Sequence, residues 1–447
     1  MKVLLVNPYI YDFTAFDLWL RPLGLLYIAS IIKKYTNAEI YWIDVLDRFQ
    51  DHSLCKSKED GRGKFHREIV DKPEIYKTIP RNYSRYGMPV DNFIEKLNKL
   101  PEIDIIFITT LMTYWIDGIN FTIEKLRERF PNAKIFVGGL LPTLLNSNIK
   151  KYIKADSFIK GYGEEKVLKI IKDNNGKIYN HPDLSHIDNL PFPLYELLAN
   201  KKYLPLMTSR GCPYNCSYCA SKLLNEHFTE RSYKKIVEEI YYMYDKHKTE
   251  HFIIFDDAFL VNKETRFLKV FNEIIKNLDV KFHTPNGIHA KEVDKKTAEM
   301  LYKSGFKTIR LSFESISPEI LKKSSGKITI NEMINAVNNL EKAGFKRKEI
   351  ECYILFGIFG QKIENIMKSL NFVKELGIIP HLSYFSPVPQ TIDFINLQKL
   401  GVLSKKINLH ETNKIYFVYK KSGLSIDEIK HIKDLTIKVT HSSKQMT

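Results

Sequence analysis

Short apolar runs alternate with stretches of helical periodicity along the first 175 residues. Residues 2–6, 39–43, 103–109 and 133–137 are dense in Val, Ile, Leu and aromatic side chains, as strands buried on both faces of a sheet are. Residues 23–34 and 118–129 repeat apolar side chains at helical spacing, which predicts helices between those strands. That rhythm predicts an α/β unit over residues 1–175, a doubly wound parallel sheet with helices on both faces. A polar stretch at about 49–91 interrupts it after the second strand. It is too long for a plain connection and is expected to form a lid or a partly ordered excursion.

Asp173, Asn174, Asn175 and Gly176 break the last helical pattern, and Pro182, Pro191 and Pro193 follow. Turn formers and residues that cannot continue a helix mark 176–200 as a linker. A second alternation then begins, with strand-like runs at 204–209, 252–255, 280–283, 308–313, 351–356 and 381–385. Helical patterns at 232–246, 263–277, 295–304, 330–343 and 361–376 separate them. Six consecutive βα units predict a partial (β/α)6 TIM-type barrel over 201–395, with functional residues at the C-terminal ends of its strands. From residue 395 onward there are ten Lys against four acidic residues and no clear fold pattern, so 396–447 is expected to be a basic, solvated tail.

Composition narrows the class. Of 447 residues, 68 are Lys or Arg and 52 Asp or Glu, a net charge of +16 that first suggests nucleic acid or an anionic surface. The excess is spread along the whole chain, so it reads as background and not as a footprint. No apolar run reaches the roughly 18 residues that a membrane span needs, and the start, Met1 to Pro8, reads as a first strand instead of a signal peptide. Five cysteines, an odd and small number, exclude a disulfide scaffold, so a reducing cytoplasm is the expected compartment.

Three of those cysteines lie in one loop after the first strand of the second alternation: Ser209, Arg210, Gly211, Cys212, Pro213, Tyr214, Asn215, Cys216, Ser217, Tyr218, Cys219 and Ala220. Three thiols at CxxxCxxC spacing can converge on one metal centre. A structural zinc site would want a fourth ligand, and neither Cys55, Cys352 nor any His is close in sequence. Three thiolates on a four-iron cluster leave one iron open to a small molecule.

With the aromatic Tyr218 before the last cysteine, at the end of the first of six predicted βα units, the loop resembles the signature of the radical S-adenosylmethionine (SAM) superfamily. The resemblance implies that Cys212, Cys216 and Cys219 hold a 4Fe–4S cluster whose open iron is chelated by the amino and carboxylate groups of SAM. An electron from an external donor such as flavodoxin or ferredoxin would then cleave SAM to methionine and a 5′-deoxyadenosyl radical. SAM-binding groups are expected at Tyr218 and at the other strand ends. Asp256 and Asp257 would accept from the methionyl ammonium, although many relatives of that superfamily carry Gly-Gly-Glu at this place. Glu314 would bind the ribose hydroxyls, and Gly357 would let adenine approach the backbone.

A doubly wound domain ahead of such a barrel resembles the cobalamin-binding members of the superfamily. The matching residues are Arg21-Pro22-Leu23-Gly24-Leu25-Leu26-Tyr27-Ile28-Ala29-Ser30, Thr109-Thr110-Leu111, Gly138-Gly139-Leu140-Leu141-Pro142-Thr143, Gly161-Tyr162-Gly163-Glu164 and the linker Leu190-Pro191-Phe192-Pro193. The fold so implied is a Rossmann-like domain of the cobalamin-binding type, with Thr109, Thr110, Leu111, Gly138, Gly139 and Glu164 as the expected cobalamin contacts and Tyr114 and Trp115 as aromatics able to pack on the corrin. The loop 8–17 contains no His, so no imidazole is expected on cobalt from that loop. The activity implied is methyl transfer to an unactivated carbon of a small-molecule or peptide substrate. Two other readings stand beside it: a radical cyclisation or rearrangement without methyl transfer, and a metal-dependent nucleic-acid-binding module.

Overall fold

The computed structural model describes residues 1–50, 57–326 and 328–445; Cys55 lies outside them. The chain divides into two compact units, Met1–Leu204 and Pro205–Thr447.

The first unit is built on five parallel strands: β1 (Lys2–Asn7), β2 (Glu39–Asp44), β3 (Ile105–Ile108), β4 (Lys134–Val137) and β5 (Ser157–Phe158). Their order is β2-β1-β3-β4-β5. The chain steps from β1 to one neighbour and then crosses to the other side, so the order reverses at β1. The C-terminal ends of β1 and β3 therefore border the crevice where open α/β sheets bind ligands. Val3, Leu4, Leu5 and Val6 have no exposed surface, which is why this strand reads as an unbroken apolar run. Strand β5 has only two residues and left no pattern in the sequence.

The 49–91 insertion differs from the expected lid. Over its described residues it adds two antiparallel strands, Arg67–Ile69 and Ser84–Tyr86, the second of which also pairs antiparallel with Ile10–Asp12. Phe13, Tyr76 and Tyr83 form a ring cluster with centroids 5.0 to 5.3 Å apart. Arg48 ties the base down, donating to the Asp17 carboxylate at 2.9 Å and to the Gly61 carbonyl at 2.6 Å. The segment looked loose because its apolar content sits in a few aromatic side chains among many charges.

β6 (Tyr203–Leu206) spans the boundary and leads into the second unit's β7 (His251–Ile254), β8 (Lys281–His283), β9 (Phe306–Glu314), β10 (Ile350–Phe356) and β11 (Ile379–Tyr384), the six hydrogen-bonded in chain order. From β7 to β11 the pairs are parallel. Helices Tyr233–His247, Phe267–Ile274, Lys295–Lys303, Ile330–Ala343 and Ile363–Glu375 separate the strands. Phe252, Phe271, Phe282 and Phe306 interlock at centroid distances of 4.9 to 5.3 Å and join β7, β8 and β9 to the helix Phe267–Ile274. Each such pair adds about 0.5–1.5 kcal/mol beyond the area it buries. With the strands laid side by side, their C-terminal ends share one edge, and the cysteine loop leaves from the first of them.

The last fifty residues are not a solvated tail. Helices Ile392–Lys399, Lys414–Lys420 and Ile426–Gln445 continue the unit. The last packs on the helix Ile363–Glu375 and on β11, burying Ile429, Ile432 and Val439. Ser443 hydrogen-bonds from this helix to the Ile378 carbonyl at 2.9 Å. Its apolar stripe keeps helical spacing, but the surrounding lysines dilute it. Among the described residues no helix is long and apolar enough to cross a membrane.

Candidate active site

Gly211 opens the cysteine loop with φ +81°, a conformation L side chains rarely adopt, and an added Cβ would lie 3.0 Å from both Asn225 and the His227 carbonyl. Cys212 and Cys216 are half-buried and Cys219 is exposed. The loop is clamped along its length. Asn215 N–H donates to Ser325 Oγ at 3.2 Å, Ser217 N–H to the Lys323 carbonyl at 2.9 Å, and the Cys216 thiol to the Ser324 carbonyl at 3.4 Å. From the C-terminal helices, Asp393 N–H donates to the Ser217 carbonyl at 3.0 Å. Sequence reasoning missed these clamps, because 323–325 and 393 carry no motif of their own.

The two aspartates at the end of β7 do different things. Asp256 is buried and accepts from Thr208 N–H at 2.7 Å, Ser209 Oγ at 2.6 Å and Arg266 Nη1 at 3.2 Å. Its oxygens are spent fastening the strand ends to Arg266. Asp257 is exposed and takes one hydrogen bond, from Ser221 Oγ at 2.6 Å. Desolvation raises its pKa, the Ser221 hydroxyl lowers it, and the neighbouring Asp256 raises it again. Asp257 also faces Cys219. Burial pushes that thiol up to about 11, the Ser221 N–H at 3.4 Å opposes the shift, and the charges of Asp257, Cys216 and Cys212 add to it.

Tyr218 packs against the apolar cluster of Ile320, Leu355 and Ile358. Burial, then the charges of Glu314 and Cys216, raise its pKa far above the ordinary phenol range. Its hydroxyl is buried and lies against the Cys216 thiol, a contact that adds to the shift. Glu314 ends β9 at φ +73°, beside a register shift between Ser312 and Glu314, and is buried. A non-glycine residue held there stores about 1–3 kcal/mol of strain, of the sort that collects at ligand clamps. Gly357, at φ +81°, is accounted for by packing: an added Cβ would lie 2.4 Å from Val418 Cγ2, and its N–H donates to Gln361 Oε1 at 2.8 Å.

In the first unit, Thr109, Thr110, Leu111 and Trp115 line a crevice of about 10 Å³ at the ends of β1 and β3. The Thr110 hydroxyl is occupied, donating to the Gly138 carbonyl at 2.8 Å and accepting from Leu141 N–H at 3.1 Å. Gly139, at φ +89°, is required by close approach, since its Cβ would fall 2.4 Å from the Thr110 carbonyl oxygen. Gly138 is different: an added Cβ would meet only Ile159, at 3.8 Å, so its open side is free for a ligand. Glu164 is buried in the first turn of the helix Glu164–Asp173. Tyr114 is a core residue, 1 % exposed, and Trp115 Nε1 donates to Asp12 at 3.1 Å. Cys352 lies fully buried in β10.

The donor set fits an iron–sulfur cluster chemically: three thiols in one loop, with a half-buried tyrosine and a strained carboxylate at the neighbouring strand ends. Among the described residues, no three His, Cys, Asp or Glu side chains close around a single metal position. The loop brings the thiols together without drawing them onto one point.

The second unit thus presents a clamped three-cysteine loop at the strand ends of a parallel α/β sheet. Residues 206–373 match the Radical SAM superfamily. A 4Fe–4S cluster and SAM are its cofactors. The chain is 26 % identical over 385 residues to an uncharacterised methyltransferase of Pyrococcus horikoshii, covering 83 % of this chain and 77 % of that protein. It is 21 % identical over 462 residues to the cytidylyl-2-hydroxyethylphosphonate methyltransferase of Streptomyces wedmorensis, covering 87 % and 79 %. Among solved structures it is similar to TsrM, a radical SAM methyltransferase from Kitasatospora setae with cobalamin and a [4Fe–4S] cluster bound. The TM-score is 0.67 at 13 % identity, over 91 % of this chain and 76 % of that one, a likeness of fold alone.

Proposed function

We propose that this enzyme is a cobalamin-dependent radical SAM methyltransferase acting on an unactivated carbon of a small-molecule or peptide substrate. The observation that carries the reading is the extent of the likeness: proteins named as methyltransferases match through both units and not through the barrel alone. When bound, the cluster with SAM supplies a 5′-deoxyadenosyl radical and cobalamin supplies the methyl group.

The chain's residues would share the remaining work. Cys212, Cys216 and Cys219 hold the cluster, and the 323–325 clamp keeps their loop in place. Asp257, and not the fully engaged Asp256, accepts from the methionyl ammonium. Glu314 receives the ribose hydroxyls, with Tyr218 closing one side. Thr109, Leu111, Gly138 and Glu164 contact cobalamin, while Thr110 and Gly139 shape that surface from behind. An unactivated carbon has no proton that a side-chain base can remove, so these groups bind and orient.

The test is anaerobic iron reconstitution with SAM, a reductant and hydroxocobalamin. The expected result is iron–sulfur and corrinoid absorption together, with 5′-deoxyadenosine formed by the wild type and none by Cys216→Ala. Wild-type protein that forms no 5′-deoxyadenosine refutes the radical reading. Radical formation without corrinoid uptake replaces methyl transfer with cyclisation or rearrangement.

A further inference from the structure

Within the first unit, a cavity of about 240 Å³ opens between the loop after β1 and the 49–91 insertion; none of the residues assigned above lines it, although Trp115 packs on the cluster under its floor. Its walls are of two kinds. Phe13, Phe65 and Tyr86 form a buried aromatic floor, and Phe16, 39 % exposed, stands at the rim. Lys64, Arg67 and Arg81 supply three cationic side chains, and no carboxylate lines the cavity among the described residues.

The arrangement is built into the fold. Phe65 and Tyr86 also belong to the apolar cluster with Ile10 and Leu46, so the floor is fixed by the core. Arg67 pairs across the small sheet with Tyr86, which holds its backbone next to the floor. The nearest acid in sequence, Glu68, points to the opposite face of that strand and is taken by Arg85 at 2.5 Å. None of Lys64, Arg67 and Arg81 makes an ion pair or side-chain hydrogen bond among the described residues, whereas Arg48, Arg62 and Arg85 close by are each committed to a carboxylate. Three like charges around one opening repel each other, and an anion in the opening converts that repulsion into attraction. Aromatic walls under the cations suit a flat apolar body attached to the anion. At about 240 Å³ the cavity is smaller than the roughly 300–1,000 Å³ that encloses a whole drug-sized ligand, so it takes one end of a larger molecule.

We propose that this cavity is a binding site for a phosphate- or phosphonate-bearing group carried on a ring, seated on Phe13, Phe65 and Tyr86 and clamped by Lys64, Arg67 and Arg81. Two molecules could present that chemistry, an anionic substrate or the nucleotide tail of a corrinoid, and the experiment separates them.

Phenyl phosphate is titrated into the purified full-length protein by calorimetry, with inorganic phosphate and phenol as controls. Saturable binding of phenyl phosphate is expected, tighter than that of inorganic phosphate and absent for phenol, and weakening as salt is raised. Arg67→Ala and Lys64→Ala alter exposed side chains and are expected to weaken binding about tenfold each; Phe16→Ser is expected to reduce the preference for phenyl phosphate over inorganic phosphate. Circular dichroism checks that the variants are folded, and Lys160→Ala, a surface change outside the cavity, is expected to leave binding unchanged. Displacement of phenyl phosphate by hydroxocobalamin assigns the site to the corrinoid tail; undiminished binding in its presence assigns it to substrate. No saturable binding, or binding that Arg67→Ala and Lys64→Ala leave untouched, overturns the proposal.

Discussion

At the scale of single residues, the adjacent aspartates after β7 show how burial separates function from structure. Asp256 is buried with Arg266 as its ionic partner, so Asp256→Asn leaves that buried cation with Glu230 alone, 3.2 Å from its Nε. It is expected to lower stability by about 1–3 kcal/mol, read by urea denaturation. Asp257→Asn changes a partly desolvated carboxylate whose hydrogen-bond donor is the neutral Ser221 hydroxyl and is expected to change stability by no more than about 1 kcal/mol while lowering 5′-deoxyadenosine formation. A second pair belongs to the first unit. Burial, then the nearby charge of Asp47, raises the Asp44 carboxyl to about 7, against the Asn7 amide that donates to it at 2.7 Å. Its folded pKa is above its unfolded value, so the folded state holds a proton that the unfolded state has released between about pH 4 and 7. Stability must then fall as pH rises through that window. Asp44→Asn is expected to flatten the slope, measured as urea midpoints at pH 4.5, 5.5 and 6.5.

At the scale of elements, the junction of β10 with the C-terminal helices explains a glycine that the sequence pointed toward a ligand. Gly357 is crowded by Val418 of the helix Lys414–Lys420, and Gly360 N–H donates to the Ser422 carbonyl at 3.0 Å. Gly357→Ala combines a disfavoured φ with a clash and is expected to cost more than about 1 kcal/mol. Val418→Ala in the same chain is expected to recover part of that loss, leaving only the backbone term, as a double-mutant cycle in urea reports. If Gly357 instead served adenine alone, the second change would recover nothing. The strand ends reveal a similar split: Glu314 keeps its strained backbone where Ser312 and Glu314 slip register, a feature that no one-dimensional pattern announces.

At the scale of the whole molecule, the C-terminal helices belong to the second unit's core and to its cysteine loop. Ending the chain at residue 425 removes the burial of Ile429, Ile432 and Val439, each a side chain whose burial contributes about 1.5–3 kcal/mol. The shortened protein is expected to show a lower urea midpoint for its second unit and increased binding of an apolar dye. An unchanged midpoint would contradict the packing described.

The alternation of strands and helices in both units was legible apart from β5, because strands buried on both faces leave dense apolar runs and parallel connections need helices between them. The cysteine loop was legible too, since its spacing is local chemistry that survives without a fold. Three things were not. The insertion and the C-terminal helices were hidden because their apolar side chains are few and scattered among lysines, and only packing partners distant in sequence give those side chains a core to enter. The unequal roles of Asp256 and Asp257, and of Gly138 and Gly139, were hidden because adjacent identical residues differ only in what lies across from them. The sequence alone determined the class of chemistry, through three thiols in one loop. Tertiary structure decided which carboxylates, glycines and cations remain free to meet a ligand, because availability depends on partners that come from elsewhere in the chain.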